Sequence, residues 1–399
     1  MSELQTLLQD PTTFSAFLVG TRRHLHQYPE VGFQEFETSR YIRDTLSAHG
    51  LDAVTSIATT GLYVDIVGAL PGPKIGYRAD IDALPIQDAK QKPYASRHAG
   101  VAHLCGHDVH TTVAIGIALW LNERRDDMRG TVRVFFQPNE EGAPSGAPVM
   151  IQDGVLDGLE AAYALHADPT LASGKIGLIK GPMTASSVRF HVEISSPSTG
   201  HSARPHETAD TIWIATQILN LYYQLTGRVS DSRDATVLTA CRIHAGDAYN
   251  VIPNYIEFGG TLRSTSIETS ERIRLQMLHA AEEIAARYGA AARVTFDEGV
   301  PPVINDGRLV DLIARSIREH AGEQVIYQIP RPSMGAEDFA NYQRHIPGAM
   351  VRLGTSCNAA TSYPLHDAHF DVDESAMPFA IETLGNVLLD HLRYEPLKR

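Results

Sequence analysis

Cysteine is scarce in this chain: Cys105, Cys241 and Cys357 are the only three in 399 residues, odd in number and widely spaced. That pattern does not fit a disulfide framework, so each thiol is expected to be reduced unless something binds it. Runs of Lys and Arg are missing as well. With 34 basic residues against 47 acidic ones and a formal net charge of -13, the chain offers no electrostatic footprint for nucleic acid or an anionic membrane surface. No apolar stretch approaches the roughly 20 residues that span a bilayer, and the opening MSELQTLLQDPTTF lacks the basic and apolar regions of a secretory signal. The expectation is a soluble, cytoplasmic protein with neither a nucleic-acid nor a membrane partner.

What is present is hydrophobic content of 43% in a chain longer than one core usually reaches, which predicts two domains. Histidine is abundant, with 18 in all, and His98, His103, His107 and His110 crowd one short segment. Such clustering points towards metal binding.

Helical spacing over Glu35 to His49, closed by Gly50, is followed by strand patterns at Lys74 to Ala79 and Thr131 to Gln137, with an apolar helix at Thr111 to Asn122 between them. This alternation predicts an α/β domain with a mostly parallel central sheet. The middle of the chain reads Val188 to Ser195 strand, Ala209 to Thr226 helix, Ala235 to Ala245 strand, Tyr255 to Arg263 strand, Ile267 to Tyr288 helix and Ala292 to Asp297 strand. That order, β-α-β-β-α-β, is the ferredoxin-like unit. The second of these helices carries Thr265 and Glu268 spaced as a capping box, a stripe of Ile273, Met277, Ala281, Ile284 and Tyr288, and a closing Gly289. The expected layout is a first domain formed by residues 1–183 and 300–399, interrupted by an insert at 184–299.

Four local features carry chemistry. Cys105-Gly106-His107-Asp108 sets a thiol and an imidazole on a Gly-containing turn, where both can face one divalent ion; a helix-entry loop with a buried thiol fits as well. Glu140 and Glu141 follow a predicted strand, where ligands gather in α/β sheets, and two adjacent carboxylates there call for an ion or a proton to offset their repulsion. An exposed acidic turn is the alternative. His166 closes the apolar run Ala161 to Leu165, and His366 precedes Asp367. One Cys, three His and a Glu at loop ends of a single sheet suit a pair of zinc-like ions.

Taken with Arg23-His24-Leu25-His26, Pro29-Glu30, Arg78-Ala79-Asp80-Ile81-Asp82-Ala83-Leu84-Pro85, Gly200-His201, Asn250-Val251-Ile252-Pro253, Gly260-Thr261-Leu262-Arg263 and Glu337-Asp338-Phe339, these motifs resemble the aminoacylase and carboxypeptidase zinc hydrolases. Within them the chain is most similar to the amidohydrolase branch that includes hippurate hydrolases and auxin-conjugate hydrolases. The resemblance implies two divalent ions per subunit held by Cys105, His107, Glu141, His166 and His366. It implies Cys105 as the bridge between them, with Glu141 and His366 on one ion and His107 and His166 on the other. It implies Glu140 as general base and Asp82 as the carboxylate that orients a histidine ligand. It makes the insert a lid and dimerisation domain, in which His201 stabilises the oxyanion and Asn250 and Arg263 hold the substrate carboxylate. Zinc is the metal expected from a thiolate, while manganese, cobalt and nickel are also associated with this branch. The chain departs from the branch at Ser195-Ser196-Pro197-Ser198-Thr199, where relatives carry a Gly-Lys-Gly-Gly run before the Gly-His pair.

The leading functional expectation is therefore a homodimeric amidohydrolase acting on small N-acyl amino acids. A dipeptidase or carboxypeptidase with the same centre is the near alternative. A metal-free hydrolase with Cys105 as nucleophile and a His as base, and a non-catalytic metal or amino-acid binding protein, are the remote ones.

Overall fold

The computed structural model describes residues 7–8 and 10–393. The chain divides into two compact units, one made of Met1–Gly181, Ile304–Pro330 and Asn341–Arg399, the other of Pro182–Val303 and Arg331–Ala340. In chain order the first unit begins with α1 (Pro11–Gln27), α2 (Phe36–Ala48), β1 (Thr55–Ile57), β2 (Gly61–Val67), β3 (Leu70–Asp80), α3 (His107–Asn122), β4 (Arg129–Gln137), β5 (Ala161–Ala172) and β6 (Ile176–Leu178). The second unit supplies β7 (Val188–Ser195), α4 (Thr211–Arg228), β8 (Thr236–Ala245), β9 (Tyr255–Ser264), α5 (Ile267–Arg287) and β10 (Ala291–Phe296). The chain returns to the first unit through α6 (Gly307–His320), β11 (Ile326–Gln328), β12 (Gly348–Ser356) and α7 (Ala376–Arg393).

The eight-stranded sheet of the first unit runs β1-β2-β4-β3-β5-β12-β6-β11. Four of its interfaces are parallel, β4 with β3, β3 with β5, β5 with β12 and β6 with β11. The other three, β1 with β2, β2 with β4 and β12 with β6, are antiparallel. The sheet is thus mixed: parallel pairs outnumber antiparallel ones, as expected, but only by four to three. A short link forces an antiparallel return, as at the β1–β2 hairpin, where Ala58 and Thr59 take positive φ. α3 is buried nearly all round. It packs with the sheet residues Ile75, Tyr77, Val132 and Val134 and with Ile381 and Leu384 of α7 in one core cluster. Each such aliphatic side chain contributes about 1.5–3 kcal/mol through burial.

In the second unit the sheet runs β8-β9-β7-β10, all antiparallel. Along β7, Val188, Phe190, Val192 and Ile194 are buried while Arg189 and Ser195 are exposed, the alternation of a sheet covered on one face. The core there joins those side chains to Ile214, Ile218 and Tyr222 of α4 and Ile273, Met277 and Ala281 of α5. The N-cap of α5 is Ser266, whose Oγ accepts from Thr269 N, rather than the expected Thr265. Tyr288 lies past the helix end and is exposed, so the buried stripe closes at Ala285 instead.

Candidate metal centre

Two backbone features bring the chemistry of the first unit to one place. Gly106 takes φ +90, and a Cβ there would stand 2.8 Å from the Ala167 side chain, so this turn requires glycine. It throws the chain directly into α3, which starts at His107, earlier than its apolar pattern alone predicts. Asn139, just after β4, is left-handed at φ +50, a conformation Asn tolerates better than most side chains. Its amide Nδ2 donates to Pro144 O, and a Cβ on Gly142 would fall 1.9 Å from its Oδ1. That packing aims Glu140 and Glu141 off the strand end.

The structure gathers Cys105, His107, Glu141, His166 and His366 into one cluster. The donor atoms of Cys105, His107 and His166 lie within 4.8 Å of one another, as do those of Cys105, Glu141 and His366, so Cys105 belongs to both groups. Cys105 Sγ is 3.5 Å from His166 Nε2. His366 Nε2 is 3.0 Å from Glu141 Oε1. His366 itself sits at φ +69, held by its backbone N–H donating to Leu104 O. Glu140 Oε2 approaches His107 Nε2 at 4.0 Å. His166 lies inside β5 rather than at a strand end, because the strand continues to Ala172 alongside β12.

The supporting hydrogen bonds fix which ring atoms face the cluster. His107 Nδ1 donates to Asp82 O at 2.9 Å and lies 3.2 Å from Asp82 Oδ1, while Asp82 Oδ2 accepts from Glu141 N at 3.0 Å. His166 Nδ1 donates to Ala167 O at 2.8 Å. Both rings therefore turn Nε2 inward, as metal-ligating histidines with outer partners do. His107 Nε2 is buried without a hydrogen-bond partner. Burial pushes the Cys105 thiol up to about 12, with Glu141 adding to it, so a thiolate here calls for positive charge beside it. Burial pulls the His107 imidazole down, yet Asp80 and Cys105 outweigh it and hold it well above its ordinary value. Burial, then Arg352, keeps His166 well below the usual imidazole range and hence neutral. Thiol, imidazole and carboxylate donors grouped in two sets around Cys105, with an orphaned buried nitrogen on His107, fit a pair of divalent ions.

The remaining expected residues lie in the second unit. Gly200-His201 pairs with Val251-Ile252 as a short antiparallel ribbon, and Ser202 N donates to Asn250 O. Ala203 N donates to His201 Nδ1 at 3.1 Å, which leaves Nε2 to carry the proton of the neutral ring. Arg263, in β9, donates from Nη1 to Met334 O at 2.9 Å.

The histidine-rich segment divides: His107 and His110 join Asp80 in a further group whose donor atoms lie within 4.8 Å of one another, while the other two turn elsewhere. His98 donates from Nδ1 to Pro29 O, and His103 is buried with neither ring nitrogen hydrogen-bonded. His110 turns to Asp80, at 2.6 Å from Nδ1 to Oδ1. Asp80 and His110 carry no assigned role in the sequence reading, although Asp80 stands in a quoted motif. His110 belongs to the histidine cluster that points towards metal binding, and that is the signal the sequence holds for it.

The family model described as peptidase family M20/M25/M40 matches residues 76–390. The chain is 39% identical to an N-acetyl-L-cysteine deacetylase of Bacillus subtilis over 366 residues, covering 92% of this chain and 86% of that protein. It is 34% identical to the IAA-amino acid hydrolase ILR1-like 4 of Arabidopsis thaliana over 372 residues, covering 92% and 83%. Among solved structures, the Bacillus subtilis YXEP protein, described as a dinuclear metal binding peptidase from the M20 family, superposes with a TM-score of 0.85 at 35% identity, covering 96% of this chain and 99% of that one. With two groups of donor residues gathered at the mixed sheet and its flanking loops and a family match over most of its length, this chain belongs to the M20 family of hydrolases.

Proposed function

We propose that this protein is a metal-dependent amidohydrolase that splits N-acyl amino acids into a carboxylic acid and a free amino acid. The observation that carries the reading is Cys105 shared between two donor groups, His107 with His166 and Glu141 with His366, while Glu140 stands beside them. The relatives named for N-acetylcysteine deacetylation and IAA-amino acid hydrolysis support an N-acyl amino acid as substrate.

In this reading the five residues hold two divalent ions, zinc first and manganese, cobalt or nickel as alternatives. Bound there, the ions supply Lewis acidity to the amide carbonyl and acidify water. Glu140 takes the proton of the attacking water and returns it to the departing amine nitrogen. Asp82 keeps the His107 proton on Nδ1. His201 donates its Nε2–H to the carbonyl oxygen as negative charge gathers there. Asn250 and Arg263 bind the substrate carboxylate, which the planar guanidinium meets with two parallel hydrogen bonds. The first compact unit, to which the chain returns at residue 304 and, after 331–340, again at residue 341, forms the catalytic domain. Residues 184–299 form a ferredoxin-like lid that also joins two subunits into a homodimer, a role supported by its β-α-β-β-α-β order and open sheet edge. The unpaired cysteines support a cytoplasmic location.

The test is a hydrolysis screen of N-acetyl, N-benzoyl and indole-acetyl amino acids beside dipeptides, each with added zinc, manganese, cobalt or nickel. The reading expects N-acyl amino acids to be cleaved in a metal-dependent way. Cleavage of dipeptides alone would move the chain to the peptidase alternative, and activity indifferent to metal removal would overturn the centre itself.

A further inference from the structure

Asp80, at the end of β3, and His110, in the second turn of α3, are both fully buried, and neither has a part in the proposed reaction. His110 spans two partners. Its Nε2 accepts from the backbone N–H of Ala167 at 2.8 Å, so the neutral ring must carry its proton on Nδ1, which donates to Asp80 Oδ1 at 2.6 Å. Asp80 is anchored in turn, because Arg78 donates from Nη1 to Asp80 Oδ2 at 2.7 Å and from Nε to Gln137 Oε1 at 2.9 Å. Ala167 is therefore pinned at its nitrogen. Its side chain faces Gly106, where no Cβ would fit, and its carbonyl accepts the Nδ1–H of His166. One residue thus receives the Asp80–His110 anchor on one side and sets the His166 ring on the other.

Building on the metal-binding reading, we propose that His110 is a positioning residue for His166, acting through the Ala167 peptide so that one half of the metal centre depends on it and the other does not. His110 touches no ion in this account. It fixes the peptide that orients a ligand, as outer partners of metal sites commonly do, with effects of about 10- to 100-fold on affinity.

The test is zinc titration of chelator-stripped full-length protein against a chromophoric competitor, read as two separate affinities. Wild-type protein should bind two equivalents. His110→Ala should keep one affinity and weaken the other by about 10- to 100-fold. Two further variants separate the arms of the clamp. The His110→Asn amide still reaches Asp80 but not Ala167, whereas that of His110→Gln extends towards Ala167, so Gln should retain more of the weakened affinity than Asn.

His391 is a buried histidine that pairs with Tyr163 of the same β5 strand at 2.6 Å. His391→Ala should lower thermal stability and leave both zinc affinities unchanged. Unchanged affinities in His110→Ala and His110→Asn, or equal weakening of both ions, would overturn the proposal. Wild-type protein that bound no zinc would overturn the metal reading instead, and this inference with it. Should the variants misfold, 15N-histidine spectra of the wild-type protein decide the matter: a proton on His110 Nδ1 supports the clamp, and one on Nε2 alone rules it out.

Discussion

Glu141 Oε1 and His366 Nε2 face each other at 3.0 Å, and the carboxylate raises the imidazole pKa above its ordinary value. Those two atoms and Cys105 Sγ lie within 4.8 Å of one another, a donor set of the kind a shared cation would use. Prolonged chelation should accordingly abolish hydrolysis, and added divalent metal should restore it. The stripped protein offers a second reading. Cys241 and Cys357 are exposed, whereas burial holds the Cys105 thiol up to about 12, so at neutral pH a thiol reagent should label two cysteines quickly and Cys105 slowly. Metal must displace that thiol proton, so apparent zinc affinity should rise with pH between about pH 6 and 9. Three equally fast thiols, or a pH-independent affinity, would contradict this account.

The adjacent glutamates should separate cleanly. Glu140→Gln is expected to keep both ions and lose about 10²-fold or more in turnover, the loss of a general base. Glu141→Gln is expected to lose metal. Equal metal loss in the two variants would mean that the pair has been assigned wrongly.

Glu35 supplies the pH dependence of stability. Its carboxylate is buried, accepting from Thr60 Oγ1 at 2.6 Å and from Asn139 N at 2.9 Å, one residue before Glu140. Burial raises its pKa from 4.5 to about 7. The folded state then binds this proton more tightly than the unfolded chain does. The resulting stabilisation is complete below about pH 4.5 and is lost as pH rises through about 7, amounting to roughly 3 kcal/mol at most. Glu35→Gln can accept from Asn139 N–H and donate to Thr60, so its melting temperature should match wild type near pH 5 and exceed it by a few degrees at pH 8. A difference that stays constant between those pH values would rule this out.

The legible parts of the molecule were those governed by short-range pattern. β7 falls on the predicted Val188 to Ser195, and Gly289, predicted to close α5, takes φ +78. What pattern could not convey was pairing between distant segments. β5 extends past His166 because β12, far along the chain, lies beside it as far as Ser356 opposite Ala172. The β12–β6 and β2–β4 contacts likewise turn the sheet mixed. The clamp of Asp80, His110 and Ala167 joins three separate elements, so no window of sequence contains it. Ser266 takes the cap of α5 from Thr265 because cap choice turns on one residue's backbone angles.

Arg263 should discriminate substrates by their carboxylate. Arg263→Ala is expected to weaken hydrolysis of N-acyl amino acids far more than that of their amide or ester counterparts, which present no carboxylate to the guanidinium. The side chain also donates to Met334 O, which gives a structural role a distinct signature. Equal loss on both substrate types would assign Arg263 to that role alone.

The last prediction concerns the working assembly. Among the described residues β8 pairs with β9 alone, which leaves its outer edge open, and Val237 and Ile243 on it are exposed. An edge of that kind invites pairing with a second copy of the same strand, which would satisfy its backbone groups and cover its apolar side chains. If such a dimer brings His201 to the partner's metal centre, two crippled chains can complement each other. Glu140→Gln and His201→Ala chains, differently tagged and co-expressed, should each be nearly inactive as homodimers. In a mixed dimer, the site with intact Glu140 on the His201→Ala chain receives intact His201 from its neighbour, so close to one site per dimer should regain turnover. With His201 acting on its own subunit, every site still lacks one group and no activity returns. Purification through both tags, followed by a rate measurement per mixed dimer, distinguishes the two, and an inactive mixed dimer that still binds metal would refute the trans arrangement.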